Sequence, residues 1–528
     1  MKKNDILSLL LLSLTLILAG CSGTRLVKSF PSLKTLDLPT NKRESIKIHL
    51  KDGGLYVLDQ WKFTKASDTI IGYGELYNYK RELIKFVQND LSGENDQSIP
   101  FLIPEGDISL VEANKIMGNS GNIAALSIVG VPNAIYTIYC ITNPKACFGS
   151  CPTFYARKNG QWALMAEGFS SSISPSFEKS DIDMLYGADQ ASGEMSLKLT
   201  NEALETHVIR YVDLLAFPES GEERVYATQE GQFYRASKVM APRSCVAEEG
   251  DCLDLVKAMD RQERYGGADP KNLAQKEEIM LSFDRDGNSD SELGLLMGSK
   301  QTLLTTHLFY QVMAYTGNRY GSLVSEVENG NVQLKNRIQK LWDKLGGIEV
   351  FIQKEHKKWE KIDEINEMGP IASDVHLIKL PVLQEGKINL KLRLTKGLWR
   401  IDYLALASLV GEETPVRINP DMVLKDDSID GDALNQLVKR DKPLVSLPGD
   451  QYELKYKLPT DCTFQFFLET KGYYLEWMRD GWLEEENLKK AAFAIYFPGL
   501  FMRKAAPEYK KAEPQMEKVF WESRYVKQ

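Results

Sequence analysis

With 528 residues, the chain is too long for one hydrophobic core and long enough for about three or four domains. An apolar share of 43% with 10% aromatics excludes a disordered chain. The net charge of −8 has no basic stripe within it, which argues against a nucleic-acid face.

The chain opens on Met1-Lys2-Lys3, continues through an apolar stretch from Ile6 to Leu18, and reaches small residues at Ala19-Gly20. A positive start, a short apolar core and a small-residue cut site are the parts of a secretory signal. Because Cys21 follows, the segment resembles a bacterial lipoprotein signal with a Leu18-Ala19-Gly20-Cys21 lipobox. The resemblance implies a lipid on the Cys21 thiol, cleavage before it, and acylation of the new N-terminus. Two or three acyl chains, at ~0.8 kcal/mol per buried methylene, anchor stably where one does not. Ser22 next to it, with no aspartate, resembles lipoproteins sorted to the outer membrane. The expected location is therefore the cell envelope, in a compartment that permits disulfides. Residues 21–42, with Pro31 and Pro39 and little periodicity, are expected to form a tether.

Period-two alternation begins at Ser45. Ile46, Ile48 and Leu50, a turn at Asp52-Gly53-Gly54 and a return through Leu55 to Leu58 predict a hairpin. With Trp61-Phe63, Ile70-Ile71 and Ile108-Leu110 as further strands, residues 43–115 read as a small β domain. The apolar run from Ile123 to Tyr139 is broken by Pro132 and is shorter than the ~20 residues a membrane span needs. A buried helix leading into a strand is expected there. Asn159-Gly160 between apolar-rich runs predicts a hairpin, because both residues tolerate positive φ. Met195-Leu197-Leu199 and His207-Ile209-Tyr211 extend a β-rich domain over 116–240.

Residues 241–347 read as irregular and then helical. One helix is expected from a Ser299 cap to Thr316, stopped by Gly317, and another from about Val332 to Leu345, stopped by Gly346-Gly347. Alternation returns in Val375–Leu380, Lys387–Leu394, Trp399–Leu406, Tyr452–Leu458 and Phe464–Leu468, predicting a β-sandwich over 348–482. Residues 483–528 read as a charged helical tail. The expected fold is thus multidomain and mainly β, with a helical hairpin inserted between β modules.

Seven cysteines occur, and lipidation of Cys21 leaves an even number. Cys147-Phe148-Gly149-Ser150-Cys151-Pro152 allows three readings. Its two thiols superficially resemble the copper site of thioredoxin-like chaperones of oxidase assembly, but a hairpin follows instead of a helix, and no histidine lies within 50 residues. A redox pair would need a thiol of lowered pKa, and only Lys145, Arg157 and Lys158 are near. The third reading is structural: the two form a local disulfide or stay inert. Over about residues 140–200 the chain also resembles a family of uncharacterised bacterial lipoprotein domains with a Cys-[Phe/Tyr]-Gly-x-Cys-Pro-x-[Phe/Tyr] motif. The matching positions are Cys147, Phe148, Gly149, Cys151, Pro152 and Phe154, with Gly160 and Glu167-Gly168 following. That resemblance implies a β-hairpin and no activity. Cys245 and Cys252 bracket a short acidic loop with Gly250 at its bend, and a disulfide is expected between them.

Asp284, Asp286, Asn288 and Asp290 resemble half a calcium loop, but Ser289 and Leu295 stand where such a loop needs glycine and a bidentate acid, and a solvated turn is expected. Ser176-Phe177-Glu178-Lys179 lacks the companion motifs of penicillin-recognising enzymes. Tyr473, Tyr474, Trp477, Arg479 and Trp482 cluster as possible anchors for a partner or a sugar, or else pack a sheet edge. The expected role is binding or scaffolding at the envelope. The membrane is engaged through lipid, an envelope protein or glycan is a possible partner, and neither nucleic acid nor cofactor is implied. The rivals are a thiol or copper-handling protein and a hydrolase assembled from dispersed residues.

Overall fold

The computed structural model describes residues 24–522, except 30–44, 51, 53, 66, 80–81, 89–98, 119–150, 191–192, 204, 285–291, 329, 355–356, 367–368, 382–385, 460–461 and 478–484. The protein is mainly β, with several sheets and few helices. It divides into two compact units, one of residues 1–138, 316–325 and 478–486, and one of residues 139–315, 326–477 and 487–528. Cys21, Cys140, Cys147, the run 123–139, Asp286, Asn288, Asp290, Arg479 and Trp482 lie outside the described residues. Among the described residues no helix is long and apolar enough to cross a membrane.

Residues 24–118 of the first unit form one antiparallel sheet, in the order Thr24–Ser29, Ile108–Gly118, Ser45–Leu50, Leu55–Thr64, Thr69–Tyr77 and Leu83–Val87, with Phe101–Pro104 also paired to Thr69–Tyr77. Ile46, Ile48, Leu58, Trp61, Ile70 and Ile103 point to one face and form its core, as period-two alternation requires. The expected tether is corrected in part. Residues 24–29 are a strand, with Thr24 opposite Gly118, whose two apolar residues are too few to show a pattern.

Among the described residues four sheets build the second unit. At its centre, Glu205–Pro218 and Phe464–Glu476 pair antiparallel, flanked by Lys179–Met184, Val416–Ile418 and Leu444–Ser446. Both faces of this sheet are covered. Leu214 and Ala216 join the core shared with Phe154, Leu197, Leu454 and Tyr456 of a second sheet, while Leu215, Phe217 and Phe467 join Val225, Leu296 and Ala405 of a third. The third sheet closes on itself, because Phe233–Met240 pairs with both Arg224–Ala227 and Trp399–Glu413. In the fourth, Lys276–Asp284 pairs with Lys387–Thr395 and Ser244–Ala247.

These pairings correct the expected boundaries. The face-to-face sandwich joins strands from 153–218 to strands from 416–476, so residues 116–240 and 348–482 do not fold as separate modules. Alternation reveals a strand but not its partner. Residues 241–300, expected to be irregular, hold the strands Lys276–Asp284 and Leu293–Gln301. The second is buried on both faces, so its sequence does not alternate. Ser299 lies in that strand and caps nothing; the first helix, α1 (Leu304–Thr316), starts five residues later, where Thr302 Oγ1 accepts from Leu304 N.

Among the described residues the further α-helices are α2 (Tyr320–Glu328), α3 (Val332–Leu345), α4 (Gly431–Lys439), α5 (Leu488–Tyr496) and α6 (Pro498–Glu522). α3 has the expected bounds: the Asn331 side chain accepts from Leu334 N, and Gly346 leaves the helix at φ 61°. It packs on α5 and α6, so the C-terminal helices belong to this unit. The Asn159-Gly160 turn is as expected, with φ of 52° and 78° between Thr153–Lys158 and Gln161–Glu167.

Cys245 and Cys252 are buried and bonded, with Cα atoms 5.3 Å apart and Cys252 N donating to Cys245 O. Replacing both with serine is expected to lower stability by about 2 kcal/mol in urea unfolding, the contribution of a short ring.

Candidate functional site

Cys151 enters the hairpin strand Thr153–Lys158, and the return strand Gln161–Glu167 ends with Glu167 opposite Thr153. The chain then turns sharply. Gly168 N donates to Pro152 O, and a Cβ on Gly168 would sit 2.8 Å from the Phe154 ring, so only glycine fits without a shift. Phe169 follows, fully buried, at a strained φ of 37°. The turn brings Ser170 beside Cys151: the Cys151 thiol donates to Ser170 O at 3.8 Å, and the Tyr474 hydroxyl donates to the same oxygen at 3.0 Å.

Tyr474 belongs to the central sheet. In its register Glu205 stands opposite Glu476, and His207 opposite Tyr474. Positions two apart on a strand share a face, so these four side chains lie on one side of the sheet. Glu476 Oε1 accepts from the Tyr310 hydroxyl of α1 at 2.5 Å, and His207 Nε2 lies 3.5 Å from Glu205 Oε2. Between this face, the Cys151–Ser170 turn, α1 and α3 is a cavity of about 830 Å³. Its most buried lining residues include Cys151, Glu167, Glu205, Tyr474 and Glu476; Phe177, Phe309 and Trp342 are half-buried. The Phe309 and Trp342 rings stand 6.0 Å apart, joining α1 to α3.

Burial dominates the electrostatics. It pushes the Glu167 carboxyl up to about 8, against the pull of the hydrogen bond from Ile371 N. Glu167 is 1% exposed; its Oε2 accepts from Ile371 N at 2.7 Å, while Oε1 has no hydrogen-bond partner. Burial, then the Glu167 and Glu205 carboxylates, raises the Cys151 thiol well above its ordinary value. That thiol stays protonated at neutral pH and is not an activated nucleophile. Among the described residues no group of three His, Cys, Asp or Glu side chains could hold a metal ion.

Two separate sequence candidates, Cys151 and Tyr474, thus meet on one wall. Tyr473 and Trp477 are buried packing residues, not exposed anchors, and Trp477 Nε1 donates to Thr206 Oγ1. Asp284 pairs with Arg243 at the surface, the role of a solvated turn. In Ser176-Phe177-Glu178-Lys179, Glu178 pairs with Arg210, Ser176 N donates to Glu328, and Ser176 O accepts from Lys335 Nζ. Sequence reasoning missed Glu205, Glu476, Tyr310 and Trp342. A glutamate at the inward end of a strand, where an apolar residue would be expected, was the available signal.

Compared with protein-family models and with curated proteins, the chain finds no match. The likenesses at Cys21 and at Cys147–Pro152 rest on those residues alone.

Proposed function

We propose that the protein is a lipid-anchored cell-envelope protein, held at the outer membrane through Cys21, that binds a small ligand in the cavity of its second unit. The anchoring part is supported by the Leu18-Ala19-Gly20-Cys21 sequence. The binding part is carried by one observation: a cavity of about 830 Å³ with half-buried aromatic rings and buried polar groups in its wall, one of them the unsatisfied Glu167 Oε1. Ligand sites are concave, of this size, and hold a few placed polar groups on an aromatic wall. The raised pKa of Cys151 weighs against the thiol-redox alternative.

A hydrolase is the second reading. It is favoured by Glu167, which keeps its proton at neutral pH, as a general acid must, in a cavity wall that also holds Glu205 and Glu476.

Two measurements test the proposal. Cys21→Ser is expected to abolish labelling by a palmitate analogue and to release the protein from membranes; unchanged labelling sinks the anchor. Protein purified from envelopes should yield a small molecule by mass spectrometry. Thr305→Phe, which fills the cavity from α1, should lose it. Retention by a normally melting variant places the ligand elsewhere.

A further inference from the structure

Helices α5 and α6 each bury one apolar face and leave further apolar surface uncovered. Ala494 and Ile495 of α5 and Phe501, Met502 and Ala505 of α6 are buried, as amphipathic helices require. Phe497, the one residue between the two helices, leaves helical geometry at φ −128° and ψ 55°, so the chain turns a corner there. At that corner Tyr496, Phe497 and Leu500 are each more than half exposed. Single exposed apolar side chains are ordinary, but three within five residues form a patch, and such a patch marks a contact. The Phe497 ring stands 5.9 Å from that of half-buried Phe493, which extends the patch onto α5. None of these residues lines the cavity described above.

The charge around the patch is all of one sign. Residues 487–507 hold Lys489, Lys490, Arg503 and Lys504 and no acidic residue, in a chain whose net charge is −8. Lys489, Arg503 and Lys504 are exposed, and among the described residues none of the three forms an ion pair. Leu500, Arg503, Lys504 and Pro507 follow one another at helical spacing along the exposed face of α6. Lys504 Nζ lies 5.9 Å from the Phe493 ring centre, and the Arg337 guanidinium of α3 lies 4.1 Å from that of Tyr496. Basic groups thus stand directly against the aromatic ones.

That combination selects the partner. The centres of protein interfaces are depleted of lysine, whereas aromatic and leucine side chains beside Lys and Arg suit the boundary between headgroups and acyl chains. Anionic lipids attract each added basic residue to that boundary.

We propose that the α5–α6 corner is a membrane contact: Tyr496, Phe497 and Leu500 enter the headgroup region of a bilayer whose anionic lipids pair with Lys489, Arg503 and Lys504. This goes beyond the reading above and depends on neither Cys21 nor the cavity. A few side chains and charges make a reversible contact, as a single acyl chain does, so loss of the Cys21 lipid still releases the protein.

The test places photoreactive benzoylphenylalanine at position 497 of the full-length protein and reads by mass spectrometry what that residue bonds to on irradiation. Purified protein is mixed with vesicles of phosphatidylcholine and phosphatidylglycerol, or of phosphatidylcholine alone. A phospholipid adduct is expected with the mixed vesicles. Arg503→Glu combined with Lys504→Glu should reduce it about fivefold or more, as should phosphatidylcholine alone. Salt of about 1 M, where the screening length is about 3 Å, should weaken it too. The same group at position 429, where exposed Ile429 stands on the second sheet, should give no adduct. If the 497 variant does not melt as the parent does, the group at position 500 takes its place. The readout is contact at one residue and not retention of the whole chain, so it is decided whatever Cys21 carries. No lipid adduct at the corner, or an equal one at position 429, overturns the contact. An adduct unchanged by the charge reversal overturns the role of anionic lipid. In intact cells, bonding of position 497 to a protein and not to lipid assigns the corner to a protein partner and overturns the proposal.

Discussion

Replacing Arg264 with leucine is expected to lower the unfolding free energy by about 3–5 kcal/mol, because it leaves a buried carboxylate without its partner. The Arg264 side chain is fully buried. Its Nη1 donates to Glu277 Oε1 at 2.7 Å and its Nη2 to Glu277 Oε2 at 2.5 Å, while Nε and Nη2 hold Glu249 at 2.7 and 2.9 Å. Glu277 is 3% exposed and cannot turn to water. Burial alone would lower the pKa of Arg264, but the hydrogen bonds to Glu277 and Glu249 reverse this and raise it. The same contact holds Glu249 below the ordinary carboxylate value, so its contribution is present above the unfolded pKa and is lost as pH falls through the folded one. The double change Arg264→Leu with Glu277→Leu should recover most of the loss. Urea midpoints of the single and double variants decide it; equal midpoints for Arg264→Leu and the parent would refute the prediction.

Raising the pH from about 5 to about 8 is expected to destabilise the protein, and Glu167→Gln to remove a large part of that fall. Glu167 has a folded pKa of about 8 against an ordinary value of 4.5. Between those values the folded state holds a proton that the unfolded state has released. Stability therefore declines with rising pH by up to about 1.4 kcal/mol per unit and levels off above about 8. Burial raises Asp183 as well, with the same sign. The amide oxygen of the Glu167→Gln variant can still accept from Ile371 N, so the variant should match the parent near pH 5 and exceed it near pH 9. Melting curves across that range give the answer; parallel pH profiles for parent and variant would show that Glu167 is ionised in the fold.

What the sequence discloses follows from how locally each feature is determined. The Asn159-Gly160 hairpin, the Asn331-to-Gly346 span of α3 and the Cys245–Cys252 ring are each set within about fifteen residues, and each is present as expected. Leu293–Gln301 was hidden because both of its faces are buried, which erases the alternation that marks a strand. The cavity was hidden for a different reason. Glu205 and Glu476 become neighbours only through strand register, Tyr310 reaches Glu476 from one helix, and Trp342 lines the same cavity from another, and the amphipathic pattern places these helices in sequence but not in space. Cys151 and Tyr474 were each singled out locally, yet nothing in either neighbourhood announces that both face Ser170.

The pairing of Glu205–Pro218 with Phe464–Glu476 also governs when this chain can fold. Pro218 meets Phe464 at one end of that ladder, so the intervening polypeptide must be closed into a loop before the ladder exists. For a flexible loop of this length the entropy of closure is about 5 kcal/mol, a cost met before any contact across it is rewarded. Topologies dominated by such distant pairings fold slowly. A chain emerging N-terminus first would carry the apolar strand Glu205–Pro218 without its neighbour until residue 476 had followed. Under the envelope location proposed above, this delay would keep the polypeptide threadable during passage, the central sheet closing only once residue 476 has followed.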